Sequence, residues 1–301
     1  MAGRRRYQPV RGTGSRIAYG SDRLLVAAVD APGRLAASVA RLVRPVPPLP
    51  AREAIRSVLV LRLDRIGDVL MSLPALHDLR AALPQAHIRL AVGAWSMDVA
   101  RSAPVDELLV WSAPWVGRAD EGALGYRDLL GRARALRSAP PDVALDLTAD
   151  PRAVLLTWLS GASVRAGYAN GGLGFLLTHV LPLDESVSWT EESRRAVAAL
   201  VGPAAPGRPD PLLPADRDFA ARLFGTLQLD RKRPLVGLHP SGGRAVKQWP
   251  VARWAAVAAA LQREFGATVL VTGSAADTPL ATEVGTGAGA HRRPHGPARG
   301  A

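Results

Sequence analysis

From residue 57 onward, short apolar runs alternate with stretches in which every third or fourth position is apolar. Residues 57–63 predict a strand, and 68–83 a helix with Val69, Leu73, Leu76 and Leu83 on one face. A strand over 87–92, a short helix near 95–101 and a strand over 107–111 follow. Next come a helix over 126–137, a strand over 142–147 and a helix over 151–159 with Pro151 in its first turn. Strands that are apolar along their whole length, each followed by a helix, predict a parallel sheet covered on both faces. Helices over 188–201 and 215–227 flank the proline-rich stretch GPAAPGRPDPLLPAD. The alternation then restarts, with a strand over 234–239, a Gly-rich loop, a helix over 251–264 and a strand over 267–272. A further helix begins in GSAADTPLATEV.

Both ends differ from this body. Residues 1–20 are rich in Arg, Gly and Ser, read as disordered, and lack the apolar core of a secretory signal. Residues 21–44 have helical spacing that Pro32-Gly33 interrupts. In the second half Leu35, Val39 and Leu42 form a stripe beside Arg34, Arg41 and Arg44, a short basic amphipathic helix. Such a helix either packs on its own domain or lies on a membrane surface. PVPPLP, residues 45–50, is a stiff linker. From Gly285 the periodicity stops. A doubly wound domain has about five or six strands, and the second half displays two, so the second domain is expected to be incomplete. The domain plan is therefore a basic extension and linker (1–54), a first domain (55–205), a connection (206–230), a partial second domain (231–284) and a disordered tail (285–301).

Composition narrows the chemistry. The chain has 301 residues and no cysteine, which removes disulfides, thiolate metal sites and cysteine nucleophiles. Its six histidines form no spaced ligand pair, so no metal is expected. The net charge of +12 sits in the ends: residues 1–56 hold eleven arginines against Asp22, Asp30 and Glu53, and 285–301 add three more arginines. The body is close to neutral, which argues against a basic groove for nucleic acid. Two lysines, Lys232 and Lys247, stand against 36 arginines, which singles each of them out.

Two loops carry the candidate chemistry. LDRIGDV, residues 63–69, lies where a strand gives way to a helix, the edge at which open parallel sheets bind ligands. Gly67 permits a tight turn and a close approach, and Asp68 begins the helix, where free N–H groups favour a negative charge. A helix cap alone would explain Asp68. The turn, however, also carries Asp64 and Arg65 and has too few glycines for a dinucleotide fingerprint. The second loop is LHPSGGRAVKQWP, in which Ser241, Gly242 and Gly243 can offer N–H and hydroxyl donors to phosphate oxygens. Lys247 adds a mobile positive charge. The bland alternative is a surface loop with Trp249 folded over its base.

The segments VLVLRLDRIGDVLMSLPALHDLRAALPQAHI and LVGLHPSGGRAVKQWPVARWAAVAAAL resemble the two signatures of glycosyltransferase family 9, the ADP-heptose:lipopolysaccharide heptosyltransferases. VRAGY and VLVTGSAAD sit where that family has similar segments, and the resemblance covers roughly residues 55–284. It implies an α/β fold of GT-B type, two facing doubly wound Rossmann-like domains, with the acceptor on the first and the nucleotide-sugar on the second. It implies Asp68 as general base toward an acceptor hydroxyl. It further implies Lys247, Ser241, Gly242 and Gly243 at the diphosphate of the donor, Asp277 near its ribose, and Asp64, Arg65 and Gly67 in the acceptor-side turn. The expected reaction moves a heptose or related sugar from an ADP-sugar to a lipopolysaccharide-type or other cell-envelope glycan. It inverts the anomeric carbon and uses no metal or cofactor.

The family's later Asp-Ser/Thr-Gly-x-x-His-x-x-Ala stretch has no counterpart here. The rival reading is thus a truncated, inactive chain acting as a binding module. The expected place is the cytoplasm, with the basic N-terminal segment touching the anionic inner face of the plasma membrane.

Overall fold

The computed structural model describes residues 22–287 apart from 44, 117–121, 204–213, 231 and 243–246. The expectations for residues 1–20, for the tail beyond Gly287, for most of the proline-rich stretch and for Gly243 lie outside the described residues. The chain divides into two compact units, Met1–Leu213 and Pro214–Ala301.

The first unit opens with helix α1 (Asp22–Val43), then β1 (Ser57–Leu61), α2 (Ile66–Ala82), β2 (His87–Val92) and α3 (Met97–Ala100). It continues with β3 (Glu107–Val110), α4 (Tyr126–Ala135), β4 (Val143–Asp146), α5 (Pro151–Leu159), β5 (Val164–Tyr168), β6 (His179–Leu181) and α6 (Trp189–Val201). Its six strands are all parallel, in the order β3-β2-β1-β4-β5-β6. The central strands bury both faces, as their unbroken apolar runs require. Val58, Val60, Leu90 and Leu145 pack with Leu73, Leu76 and Leu79 of α2 and Val197 and Leu200 of α6. Leu59, Leu61 and Ala144 pack on the other side with Leu129 of α4 and Leu156 of α5. An ion pair between Asp78 and Arg194 at 2.7 Å ties α2 to α6.

Two local expectations are corrected. Helix α1 runs unbroken through Pro32. A proline removes one backbone donor, and the turn around it is held from outside. The Asp30 carboxylate accepts the Leu173 N–H at 2.6 Å, and Gly33 lies against the Phe175 ring, where a Cβ would come within 2.4 Å. Strands β5 and β6 were not expected, because VRAGY and HVL are too short and too mixed to display a period. Their place comes from pairing: Gly167 of β5 passes so close to Asp146 that a Cβ would stand 3.0 Å from that side chain.

The second unit holds α7 (Pro214–Thr226), β7 (Leu235–Leu238), α8 (Val251–Phe265), β8 (Thr268–Val271) and α9 (Thr278–Gly287). Thus α7, expected within the connection, counts with the second unit, and α9 continues past the expected end at residue 284. β7 and β8 pair in parallel. A small core of Leu238, Ala258 and Val284 joins the sheet to α8 and α9, with Trp254 and Leu261 packed against it.

Candidate functional site

The strand order of the first unit reverses between β1 and β4, and ligands of open α/β sheets bind beyond the carboxyl ends of the strands at that point. The turn that drew attention in the sequence, residues 62–68, leaves β1 there. Helix α2 starts at Ile66, two residues earlier than expected, with Arg65 as its N-cap. Asp68 is therefore the third residue of the helix rather than its cap. Its Oδ2 accepts the Arg65 N–H at 3.2 Å, and Asp68 is half-buried. Among the described residues no other hydrogen bond to that carboxylate is present beyond this one within the turn, so an oxygen remains for an outside partner. Gly67 does not need glycine's left-handed freedom; a Cβ there would meet nothing within 4 Å. Open space, not turn geometry, is what this glycine contributes.

Four loops meet around the turn. Buried Arg62 donates through Nε to the Asp68 carbonyl at 3.1 Å and through Nη1 to the Leu147 carbonyl beyond β4. The same nitrogen lies 3.3 Å from Asp64 Oδ2, and the guanidinium stands 5.9 Å from the Trp189 ring. From the loop after β2, Trp95 donates its indole N–H to the Asp64 carbonyl at 2.8 Å, and Arg65 stacks over its ring. Arg65 also donates to the Val116 carbonyl, beyond β3. After β4, Asp150 caps α5 by accepting the Arg152 N–H at 2.8 Å and holds the Arg152 guanidinium through both carboxylate oxygens. That guanidinium lies 4.6 Å from the Trp115 ring centre. Ala149, between these groups, takes a left-handed φ of 56°, a conformation that costs a residue with a Cβ and is kept only where its surroundings enforce it.

The carboxylates of this edge are electrostatically unequal. Burial raises Asp146 to about 7, although Oδ1 accepts the Thr148 N–H at 2.9 Å and the Thr148 hydroxyl at 2.5 Å. Its Oδ2 is buried with no hydrogen-bond partner among the described residues. Burial likewise raises Asp64 to about 7 against the lowering pull of Arg62. The Asp64 side chain retains 29% of its surface, so solvent offsets part of that penalty, and Asp146 is the more strongly held in its neutral form.

In the second unit the predicted groups gather at the carboxyl ends of β7 and β8. Ser241 Oγ lies 3.1 Å from His239 Nε2, whose ring reaches Thr272 Oγ1 at 3.2 Å through Nδ1. Asp277 Oδ2 accepts both the N–H and the hydroxyl of Ser274 at 2.7 Å, and the hydroxyl of Ser274 is the main cause that holds its carboxyl below the ordinary range. Ser241 and His239 lower it further, which brings Ser241 and Asp277 into one polar cluster. A Cβ on Gly242 would stand 3.4 Å from Lys247 Cβ, the Gly242 carbonyl accepts from Gln248 at 3.0 Å, and Lys247 is exposed.

Sequence reasoning missed Arg62, Asp146, Asp150, Arg152 and His239. For Asp146 and Asp150 a signal existed: LDLTADP, like LDRIGDV, is a strand running into a helix. The tryptophans carried no such signal.

No curated protein matches this chain. Among solved structures it is similar to a family 9 glycosyl transferase from Veillonella parvula DSM 2008, at 22% identity and a TM-score of 0.62 over 77% of this chain and 66% of that one. It is also similar to the ADP-heptose lps heptosyltransferase II of E. coli, at 24% identity and 0.57 over 76% and 67% of the two chains. The E. coli heptosyltransferase WaaC with ADP gives 19% and 0.56 over 76% and 71%. The chain thus spans about two thirds of the length of these proteins, and the likeness is one of fold, in agreement with the GT-B type expected. The sequence model of glycosyltransferase family 9 (heptosyltransferase) matches residues 130–289, more than half of the chain. Its match begins in α4 of the first unit and runs through β8 and α9 of the second, so with the fold it settles membership: this chain belongs to glycosyltransferase family 9.

Proposed function

We propose that the chain transfers a heptose or a related sugar from an ADP-sugar to a lipopolysaccharide-type or other cell-envelope glycan. The observation that carries this reading is the Asp68 carboxylate at the switch point of a family 9 fold, oriented by the Arg65 N–H. WaaC of E. coli has been solved with ADP and with ADP-2-deoxy-2-fluoro heptose, and its donor class is taken over here.

In this reading the acceptor hydroxyl lies over Gly67 and gives its proton to Asp68 as its oxygen bonds to the anomeric carbon. The bond from that carbon to the ADP phosphate oxygen breaks, and ADP departs with the electron pair. Attack by one oxygen, with no covalent enzyme intermediate, inverts the anomeric centre. Ser241 and Gly242, with Gly243 in the same loop, donate hydrogen bonds to the diphosphate, and Lys247 offsets its growing charge. Asp277, kept ionised by Ser274, accepts from the ribose hydroxyls. No metal is given a role. Trp189, 42% exposed beside the turn, offers an apolar face on which a sugar ring can rest. A chain without cysteine and with this donor fits the cytoplasm, and a lipid-linked acceptor would bring it to the inner face of the plasma membrane.

The test is ADP release from ADP-heptose with a delipidated lipopolysaccharide core as acceptor. Asp68→Asn should lower turnover by about 10²–10⁴, the usual worth of a general base, and leave ADP affinity unchanged. Transfer that survives the substitution removes Asp68 from this role. An unaltered chain that binds no ADP at millimolar concentration would favour the rival, a non-catalytic binding module.

A further inference from the structure

Helix α1 is amphipathic in the inverted sense. The face that meets its own unit is small and polar: Asp30, Gly33, Ala37 and Arg41 recur at helical spacing along it. Asp30 accepts the Leu173 N–H, Gly33 receives the Phe175 ring, and Arg41 donates to the Leu177 carbonyl at 3.3 Å. The apolar stripe lies on the opposite side. Leu35, Val39 and Leu42 are 69%, 56% and 85% exposed. An i, i+4, i+7 row of large aliphatic side chains left in water is a surface prepared for a partner, because folding alone would have turned it inward.

The charge beside the stripe identifies the partner. Arg34, 67% exposed and paired with Asp30 at 2.7 Å, lies on the flank of the helix between its packed face and the stripe, and residues 1–56 together carry an excess of eight positive charges. A second copy would set one basic segment against another, and like charges repel. An anionic lipid surface satisfies both features, with the stripe entering the headgroup boundary and the arginines meeting phosphates. No described helix is long and apolar enough to cross a membrane, so the mode is lying on the surface. We propose that α1 docks the protein on anionic lipid bilayers through Leu35, Val39 and Leu42. Because α1 is pinned to residues 173–177 beside β6, docking would also fix the orientation of the first unit on the bilayer. The proposal stands apart from the transferase reading, since none of its measurements uses turnover.

The experiment is co-sedimentation of the full chain with vesicles of phosphatidylcholine containing about one third phosphatidylglycerol. Binding is expected, weakening as salt is raised and absent with phosphatidylcholine alone. The triple variant Leu35→Glu, Val39→Glu, Leu42→Glu should reduce the bound fraction at least about tenfold, with the thermal midpoint unchanged because all three side chains are exposed. Should that variant fold poorly, Leu42→Glu alone replaces it and should weaken binding about threefold. Sedimentation that is missing in the unaltered chain, or unchanged in the variants, would overturn the proposal. So would a dimer in vesicle-free solution that the variants convert to monomer, which would make a second copy the occupant.

Discussion

Arg62 is charged, buried and surrounded by carbonyl oxygens, an arrangement that is costly unless every donor is used. It is used three ways: by the Asp68 carbonyl, by the Leu147 carbonyl and by Asp64. One side chain thus ties the end of β1 to the end of β4 and to the helix that carries Asp68. Arg62→Ala would strand those acceptors, and we expect a loss of about 3 kcal/mol in urea unfolding. A loss below about 1 kcal/mol would mean that water replaces the guanidinium at no great cost. Asp146 offers a second test. Its folded value, about 7, stands above the ordinary 3.8, so between them the folded chain holds a proton that the unfolded chain has released. Stability should therefore fall as pH rises through that window and level off above it. Asp146→Asn removes this titration at nearly constant volume, so the midpoint of melting should depend less on pH between 5 and 7. Asp64, raised in the same direction, leaves some slope behind. An identical slope in the variant would place Asp146 ionised in the fold.

At the scale of elements, β1 and α2 were legible because β1 is an unbroken apolar strand and α2 repeats Val69, Leu73 and Leu76 at helical spacing, although Ile66 and Leu70 stay exposed on its other side. What the pattern could not locate was the junction. Helix α2 starts at Ile66 because the backbone can hydrogen-bond from Arg65 onward, and an apolar period says nothing about caps. This shift changes the role of Gly67 from a tight-turn residue to a gap. Gly67→Ala should leave stability unchanged or raise it by up to about 1 kcal/mol, since alanine is the better helix residue. If an acceptor passes over that gap, the same variant should raise the acceptor KM while the melting curve stays in place. A lowered melting point would contradict the open space found above Gly67. β5 and β6 remained hidden for a related reason. Their three to five residues are specified by the neighbouring strand and by the close approach of Gly167 to Asp146, not by composition.

On the scale of the molecule, the two units are unequally built. The first has six strands whose central members are buried on both sides; the second, among the described residues, has two strands that are partly exposed. A two-stranded sheet with few apolar contacts opens more readily than a central strand pair. Amide exchange should accordingly be faster by at least about tenfold in β7 and β8 than in β1 and β4, read by mass spectrometry under native conditions. Equal protection would mean that the second unit draws stability from contacts other than its own core of Leu238, Ala258 and Val284.

Class of fold, the order of elements apart from β5 and β6, the two loops and the family resemblance all followed from residues near one another in the chain. Periodicity and short motifs are local, and local pattern survives in one dimension. The company that Asp68 keeps did not follow. Arg62, Trp95, Val116, Leu147 and Asp150 come from four separate loops, and only the reversal of strand order at β1 and β4 gathers them. The outward stripe of α1 was visible as a pattern, but which way it faced was decided by Asp30 and Gly33 docking on residues 173–175, far along the chain. Apolar spacing gives a helix a face, and only packing chooses what that face meets.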